Sequence, residues 1–329
     1  MKNRADTMIK DQRGAPSGEG EEAEPSHLAA QGEESRCGIP GLRRFWWFSG
    51  LLVLAYGWIL FSLVVYSAGT EIHSHILLIP FVSAYLIRLN RNALPGGSDC
   101  SPGWAAVLAV TGLALLALVF EAGTGQGGLS WNDFLSLTVG SFLCFLSAGG
   151  FLFLGKRWMG IVSFPAAFLV FMVPLPDAAV VAIEHTLMAA TSEVVDGLFL
   201  IAGVPCLRDG HVFQIPGITL RVAQECSGIR SSWVLFITSL LASYLFLRSP
   251  WRRALLMAVV IPLGILRNGF RILVLAELCI HYGPQMIDSA LHHRGGPIFF
   301  VLSLIPLFLL LWWLRRGESR GEAAGKALS

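Results

Sequence analysis

The chain has 329 residues, 54% hydrophobic and 14% charged, with a formal net charge of +2 and a mean hydropathy of +0.63. Soluble domains carry about 25% charged residues, whereas stretches 45–66, 104–120 and 297–314 carry none here. Apolar runs of about 20 residues match the hydrocarbon thickness of a bilayer, which excludes a water-soluble globule and predicts an all-α polytopic membrane protein surrounded by lipid, with no nucleic-acid partner.

Residues 1–42 hold eight acidic residues among many Gly, Ser, Ala and Pro, with no apolar periodicity. That composition buries too little surface to offset the entropy of ordering, so a disordered cytoplasmic tail is expected. With no apolar stretch behind a basic start, it is not a cleavable signal peptide. The membrane domain, 43–316, reads as about eight spans: 45–66, 73–87, 104–121, 132–154, 158–175, 229–247, 254–279 and 296–314. An external cap at 176–228 separates the fifth from the sixth.

Within that cap, 177–203 is apolar but carries His185, Ser192 and Asp196 at i, i+7 and i+11, with Glu184 and Glu193 beside them. A polar stripe on an apolar helix predicts a helix lying in the membrane interface. His211 to Val222 then reads as two short strands around the turn pair Pro216-Gly217, a β-hairpin. Residues 317–329 form a short second tail. The six cysteines, at 37, 100, 144, 206, 226 and 279, show neither CxxC nor the histidine spacing of zinc sites. No metal or organic cofactor is expected.

The basic residues set the orientation. Arg43 and Arg44 precede the first span, Arg88 and Arg91 follow the second, and Lys156 and Arg157 follow the fourth. Arg248, Arg252 and Arg253 lie between the sixth and seventh, and Arg315 and Arg316 follow the eighth. Loops 67–72 and 122–131 have no Lys or Arg. Cytoplasmic loops concentrate Lys and Arg, so both termini are expected inside a cell membrane. Loops 176–228 and 280–295 are then expected outside. A ninth span at 177–203 would move Arg248, Arg252 and Arg253 to the wrong side.

Three chemistry-bearing groups fall on that outer face. Cys226 stands at the start of the sixth helix, where the helix N-terminus and a nearby cation favour the nucleophilic thiolate. Arg230, four residues on, is expected on the same helix face. A membrane cysteine is by default a small buried apolar residue; the Ser227-Gly228 that follows, the helix-start position and Arg230 argue otherwise. Arg267 and Arg271, with Asn268 between them, lie at i and i+4 in the outer part of the seventh span. A charge at that depth costs at least about 2.5 kcal/mol and normally faces a partner or a cavity. Snorkelling or a helix–helix clamp explains such arginines structurally; functionally, a guanidinium suits a developing oxyanion but not a general base. His292 and His293 stand before the eighth span, where an imidazole can shuttle protons, and Asp288 is four residues before His292. His73, His75, His185, His211 and His281 read as interfacial or loop residues. Each signal is moderate alone; their coincidence on one membrane face is the stronger argument.

The order of these motifs resembles the exosortase/archaeosortase family of integral-membrane cysteine transpeptidases, over about Phe164 to Phe299. Pro174-Leu175-Pro176 closes a span, and Val222-Ala223-Gln224-Glu225-Cys226-Ser227-Gly228-Ile229-Arg230-Ser231 follows the hairpin. Asn268-Gly269-Phe270-Arg271-Ile272 and His292-His293-Arg294-Gly295-Gly296 come next, with weaker similarity at His73-Ser74-His75-Ile76-Leu77-Leu78-Ile79-Pro80. The resemblance implies Cys226 as nucleophile, Arg271 as essential arginine and His292 as proton-transfer residue. Relatives often carry Asp directly after that histidine, where this chain has His293, so His292 is chosen on its four-residue distance to Gly296.

The resemblance further implies cleavage of surface-destined proteins that end in a recognition motif, a membrane helix and a basic cluster. They would pass through a thioester to an acceptor such as an exopolysaccharide or a lipid. One rival from another class is a carrier of anions or lipid-linked groups, binding them through Arg267, Arg271 and His292. A second is a hydrolytic intramembrane protease with the same nucleophile.

Overall fold

The computed structural model describes residues 40–70, 73–96, 100–124, 128–215, 218–221, 228–283, 285 and 296–328. Among the described residues the chain is mostly helical, with one small three-stranded sheet. Its α-helices are α1 (Pro40–Ala55), α2 (Gly57–Gly69), α3 (Ile79–Leu89), α4 (Pro102–Thr124), α5 (Trp131–Phe153), α6 (Lys156–Ile161), α7 (Ser163–Phe168), α8 (Asp177–Ala202), α9 (Ile229–Phe246), α10 (Pro250–Tyr282) and α11 (Gly296–Leu328). Six of them are long and apolar enough to cross a membrane, namely α4, α5, α8, α9, α10 and α11; a seventh span results if the bent pair α1–α2 counts as one.

Three expected spans take other forms. The run 45–66 is two helices meeting at 67°; the break is Tyr56, at φ −92° and ψ 8°, whose hydroxyl reaches Ser141 on α5 at 2.9 Å. The run 73–87 starts as a 3-10 turn, Ser74–Leu78, before α3. The run 158–175 is broken into α6, α7 and a 3-10 turn, Leu169–Met172, ending at Pro174. Pro165 sits in the first turn of α7, the position that tolerates its missing N–H. The segment expected to lie in the interface, α8, is a continuous helix of 26 residues, one of the six that meet the length and apolarity of a span. The last helix runs on to Leu328, past the expected tail boundary at 317. There the Glu318 carboxylate accepts from the backbone N–H groups of Arg248 and Ser249 at the start of α10.

The hairpin is present and has a third strand. β2 (Val212–Ile215) pairs antiparallel with β3 (Ile218–Arg221) in the register Phe213↔Leu220, and β1 (Leu207–Asp209) pairs antiparallel with β2 in the register Arg208↔Phe213. The β1–β2 turn is Gly210-His211, with Gly210 at φ +58°. One face of the sheet presents Phe213, Ile215 and Leu220 to Val195 and Phe199 of α8 and to Ile272 and Ala276 of α10. Arg208 ties it further to α8 through Glu193, and through Asp196 at 3.6 Å; the Glu193 hydrogen bond pushes the Arg208 guanidinium above its ordinary value.

Two larger cores flank the sheet. One gathers α2, α3, α5, α7 and the 3-10 turns around Val139, Phe142, Phe168 and Ile237; the other joins α9, α10 and α11 around Leu235, Leu256, Val260 and Leu307. α9 belongs to both, giving Ile237 to the first and Leu235 to the second. Side-chain contacts also define two ends of the bundle. At one end Asn90 donates to Tyr244, Arg253 covers the Tyr244 ring, and Arg252 donates to the Leu314 carbonyl. At the other, Asn132 donates to Asp177 and Leu175, Ser136 donates to Pro174, and Trp233 donates to His75.

Candidate active site

Close helix packing sets the site. In lipid no hydrophobic drive brings helices together, so small residues that let backbones approach take over that role. Along α10, a Cβ on Gly264 would lie 2.8 Å from Ser232 Oγ of α9, and one on Gly269 would lie 2.8 Å from Val194 Cγ1 of α8. Between these two glycines stand Arg267 and Asn268, carried inward where α8, α9 and α10 are nearest.

The start of α9 is fixed at the same point. Gly228 caps it at φ +71° and ψ 13°, a left-handed conformation that costs other L-residues about 1–2 kcal/mol. Its α-carbon also faces Asn268 so closely that a Cβ would meet Asn268 Cγ at 3.1 Å and Arg267 Nη2 at 3.4 Å. Arg267 Nη2 donates to the Gly228 carbonyl at 3.5 Å and to Ser232 Oγ at 3.4 Å, both long contacts. Asn268 Nδ2 donates to Thr191 Oγ1 of α8 at 3.4 Å. Asn268 and Thr191 are buried, and Arg267 keeps 8% of its surface exposed. The Arg267 Nη1 is buried with no hydrogen-bond partner among the described residues.

Arg271, one turn beyond Arg267, is half-buried, next to Ile272, which belongs to the core under the sheet. One turn further an open groove of about 410 Å³ is lined by Leu273, Val274, Glu277, Leu278, His281 and Tyr282. Arg230, expected to face the sulfur, is exposed on the first turn of α9. Cys226, Asp288, His292 and His293 lie outside the described residues. Of the eight candidate residues, the structure brings Arg267 and Asn268 together at the Gly228 turn, carries Arg271 on the same helix, and places Arg230 on the first turn of α9.

Several participants gave no sequence signal. Thr191 and Ser232 reach the site by contacts spanning 77 and 35 residues. The stripe on α8 divides: Ser192 is buried and its hydroxyl donates to Met188, so His211 Nδ1–H is the donor in the 2.9 Å contact between the two. Ser192 is thus a tie between α8 and the sheet rather than a nucleophile. His73 and His75, read as interfacial, are built in: His73 is 5% exposed against the Tyr66 ring, and His75 accepts from Trp233 on α9. Among the described residues no group of three His, Cys, Asp or Glu side chains is arranged to hold a metal ion.

Residues 66–309 match the family described as transmembrane exosortase (Exosortase_EpsH). No curated protein and no solved structure matches the chain. The matched region runs from the end of α2 into the first half of α11, and so contains the sheet, the Gly228 turn and the arginine pair of α10. A family match over about three quarters of the sequence, on a bundle of membrane-length helices, makes this chain a member of the transmembrane exosortase family.

Proposed function

We propose that the protein is a membrane-embedded cysteine transpeptidase that cleaves the C-terminal sorting signals of surface-destined proteins and transfers them to an acceptor. The observation that carries this reading is the junction of α9 and α10. The turn that begins two residues after Cys226 is braced by Arg267 and Asn268, one helical turn from Arg271, inside the region that the exosortase family matches.

In this reading the Cys226 thiolate attacks the scissile carbonyl, forming a carbon–sulfur bond while the carbonyl electrons move onto oxygen. Arg271 stabilises that oxyanion. The oxyanion collapses, the carbon–nitrogen bond breaks, and protonated His292 gives its proton to the departing amine, leaving a thioester. An acceptor hydroxyl or amine, on an exopolysaccharide or a lipid, then loses its proton to His292 and attacks the thioester, and the sulfur departs as thiolate. Asp288 is suited to orient the imidazole, and His293 is the alternative proton carrier. These steps need no metal or organic cofactor.

The substrate's membrane helix lies among the spans with its basic end in the cytoplasm. Arg252, Arg253, Arg315 and Arg316 support this orientation, because Arg252, at the terminus of the bundle opposite Gly228, meets α11 at Leu314, next to Arg315. Cytoplasmic loops collect positive charge, so the junction belongs on the external side, with both chain termini inside the cell membrane.

The Cys226→Ala variant tests the reading in cells that express a tagged substrate. Processing should cease, and hydroxylamine should release from the wild type a substrate hydroxamate that the variant never yields. Mass spectrometry of the product separates transfer from hydrolysis, since a free carboxyl terminus marks the latter. A carrier that binds anions at Arg267, Arg271 and His292 is favoured by the Arg267 Nη1, which has no partner among the described residues, and predicts instead that Cys226→Ala is tolerated.

A further inference from the structure

Three segments distant in the chain meet on one small core at the end of the bundle opposite Gly228. Leu154, Trp158, Met159 and Val162 form that core, with Leu42 and Phe45 of α1, Ile87 of α3 and Leu94 packed against them. A Cβ on Gly150 of α5 would meet the Met159 sulfur at 2.6 Å, and Trp158 Nε1 donates to the Pro95 carbonyl at 3.2 Å. Asn90, which donates to Tyr244 beneath Arg253, fixes which end this is. The packing gathers Arg43, Arg44, Arg88, Arg91, Lys156 and Arg157 at one corner, and all of them are exposed. Segments 40–47, 85–96 and 149–161, which carry them, contain no Asp or Glu.

Orientation in a membrane asks for basic residues somewhere on the inner side; it does not ask for them at one corner. The other arginines of this end are engaged within the bundle. Arg252 donates to the Leu314 carbonyl, and Arg253, Arg315 and Arg316 cover the rings of Tyr244, Phe246 and Trp312. The surroundings of the corner name its anion. Trp46 and Trp47, next along α1 from the two arginines, are 68% and 75% exposed. Trp104 is 56% exposed where its ring stacks on Phe151, which packs against the same core. Exposed tryptophans belong at the headgroup level of a bilayer, where basic pockets between helices bind anionic headgroups. Indoles give a soluble anion nothing to bind, whereas a lipid sets its upper chains against them.

We propose that this corner of α1, α3 and α6 is a binding site for an anionic phospholipid. Arg43, Arg44, Arg88, Arg91, Lys156 and Arg157 hold the phosphate, and the exposed indoles take the upper acyl chains. The site makes no use of Cys226 and stands whether or not that residue is the nucleophile.

The test is native mass spectrometry of the full-length protein in detergent, titrated with phosphatidylglycerol and, separately, with phosphatidylcholine. Each basic residue near an anionic surface is worth about fivefold in affinity, so Lys156→Gln with Arg157→Gln should weaken phosphatidylglycerol binding roughly 25-fold. Phosphatidylcholine binding should not change. Arg315→Gln with Arg316→Gln, at the same end but outside the corner, should leave phosphatidylglycerol binding near wild type. Equal loss in the two double variants overturns the proposal, as does equal retention of the two lipids by the wild type. Glycerol phosphate, which has the charge but no chains, should not compete; competition as strong as that of the lipid also overturns it. Asp99 and the acidic residues of 1–39 lie outside the described residues, and the same full-length chain tests them as rival counter-charges. Asp99→Asn, and Glu19→Gln, Glu21→Gln, Glu22→Gln and Glu24→Gln together, should leave lipid retention as it is. A gain in either would show the corner already filled by the chain's own carboxylates, and the proposal would fall.

Discussion

Gly228 carries two constraints that a substitution separates. Its φ of +71° asks for a residue at ease in the left-handed region, and the 3.1 Å approach of Asn268 asks for no side chain at all. Asn relieves the first constraint but not the second, since it visits that region more readily than Ala yet still adds a Cβ. Gly228→Ala should lower stability by about 1–2 kcal/mol and cut processing, and Gly228→Asn should recover part of the stability but not the processing. Thermal unfolding in detergent beside a processing assay reads both. Full activity in the Asn variant would mean that the close approach to α10 is dispensable. Arg267 and Asn268 stand out in the sequence because a charge and an amide are unusual inside an apolar helix. The bracing around them does not: Thr191 and Ser232 are unremarkable as letters, and only folding brings them to Asn268 and Arg267.

At the level of elements, the α9–α10 contact is governed by Gly264. A methyl there would lie 2.8 Å from Ser232 Oγ, so Ser232 must rotate and abandon Arg267. Gly264→Ala should therefore lose stability by about 1–3 kcal/mol, as overpacking does, and adding Ser232→Ala should restore part of it. Strict additivity in a double-mutant cycle would show that the two positions do not touch. The same scale explains which elements sequence could foresee. Long uniform runs such as α4 and α5 were readable because nothing in them changes direction. The first run and 158–175 are equally apolar, but a run of apolar letters records composition and not heading. The bend at Tyr56 and the breaks around α6 and α7 therefore left no trace in it. The pairing of β2 with β3 follows the sequence pattern on either side of Pro216-Gly217, whereas β1 has only Asp209-Gly210 as its turn signal.

Across the whole molecule, polarity is sorted by end. The contacts of Arg252, Arg253 and Glu318 gather at one terminus of the bundle, and the Gly228 turn, the Asn132–Asp177 pair and the His75–Trp233 pair gather at the other. A membrane-impermeant maleimide should therefore reach Cys226 from outside intact cells, and a cysteine introduced as Arg316→Cys only after the membrane is opened. Labelling of both from one side would end the proposed orientation. The exposed apolar rings and chains of α1, α4 and α11, among them Trp46, Phe120 and Trp313, are the surface such an orientation gives to lipid.

The 33 residues of α10 rise about 50 Å, against about 30 Å of hydrocarbon. Measured along its axis from Arg253, Arg267 stands about 21 Å up and Arg271 about 27 Å. If Arg253 is moored among the inner phosphates, the first guanidinium is submerged in oil and the second reaches the far shore. The enzyme would then carry its own ruler: longer acyl chains would drown Arg271, and shorter ones would leave it in the headgroups. Under the proposed function, lipid chain length would then control turnover without touching a side chain.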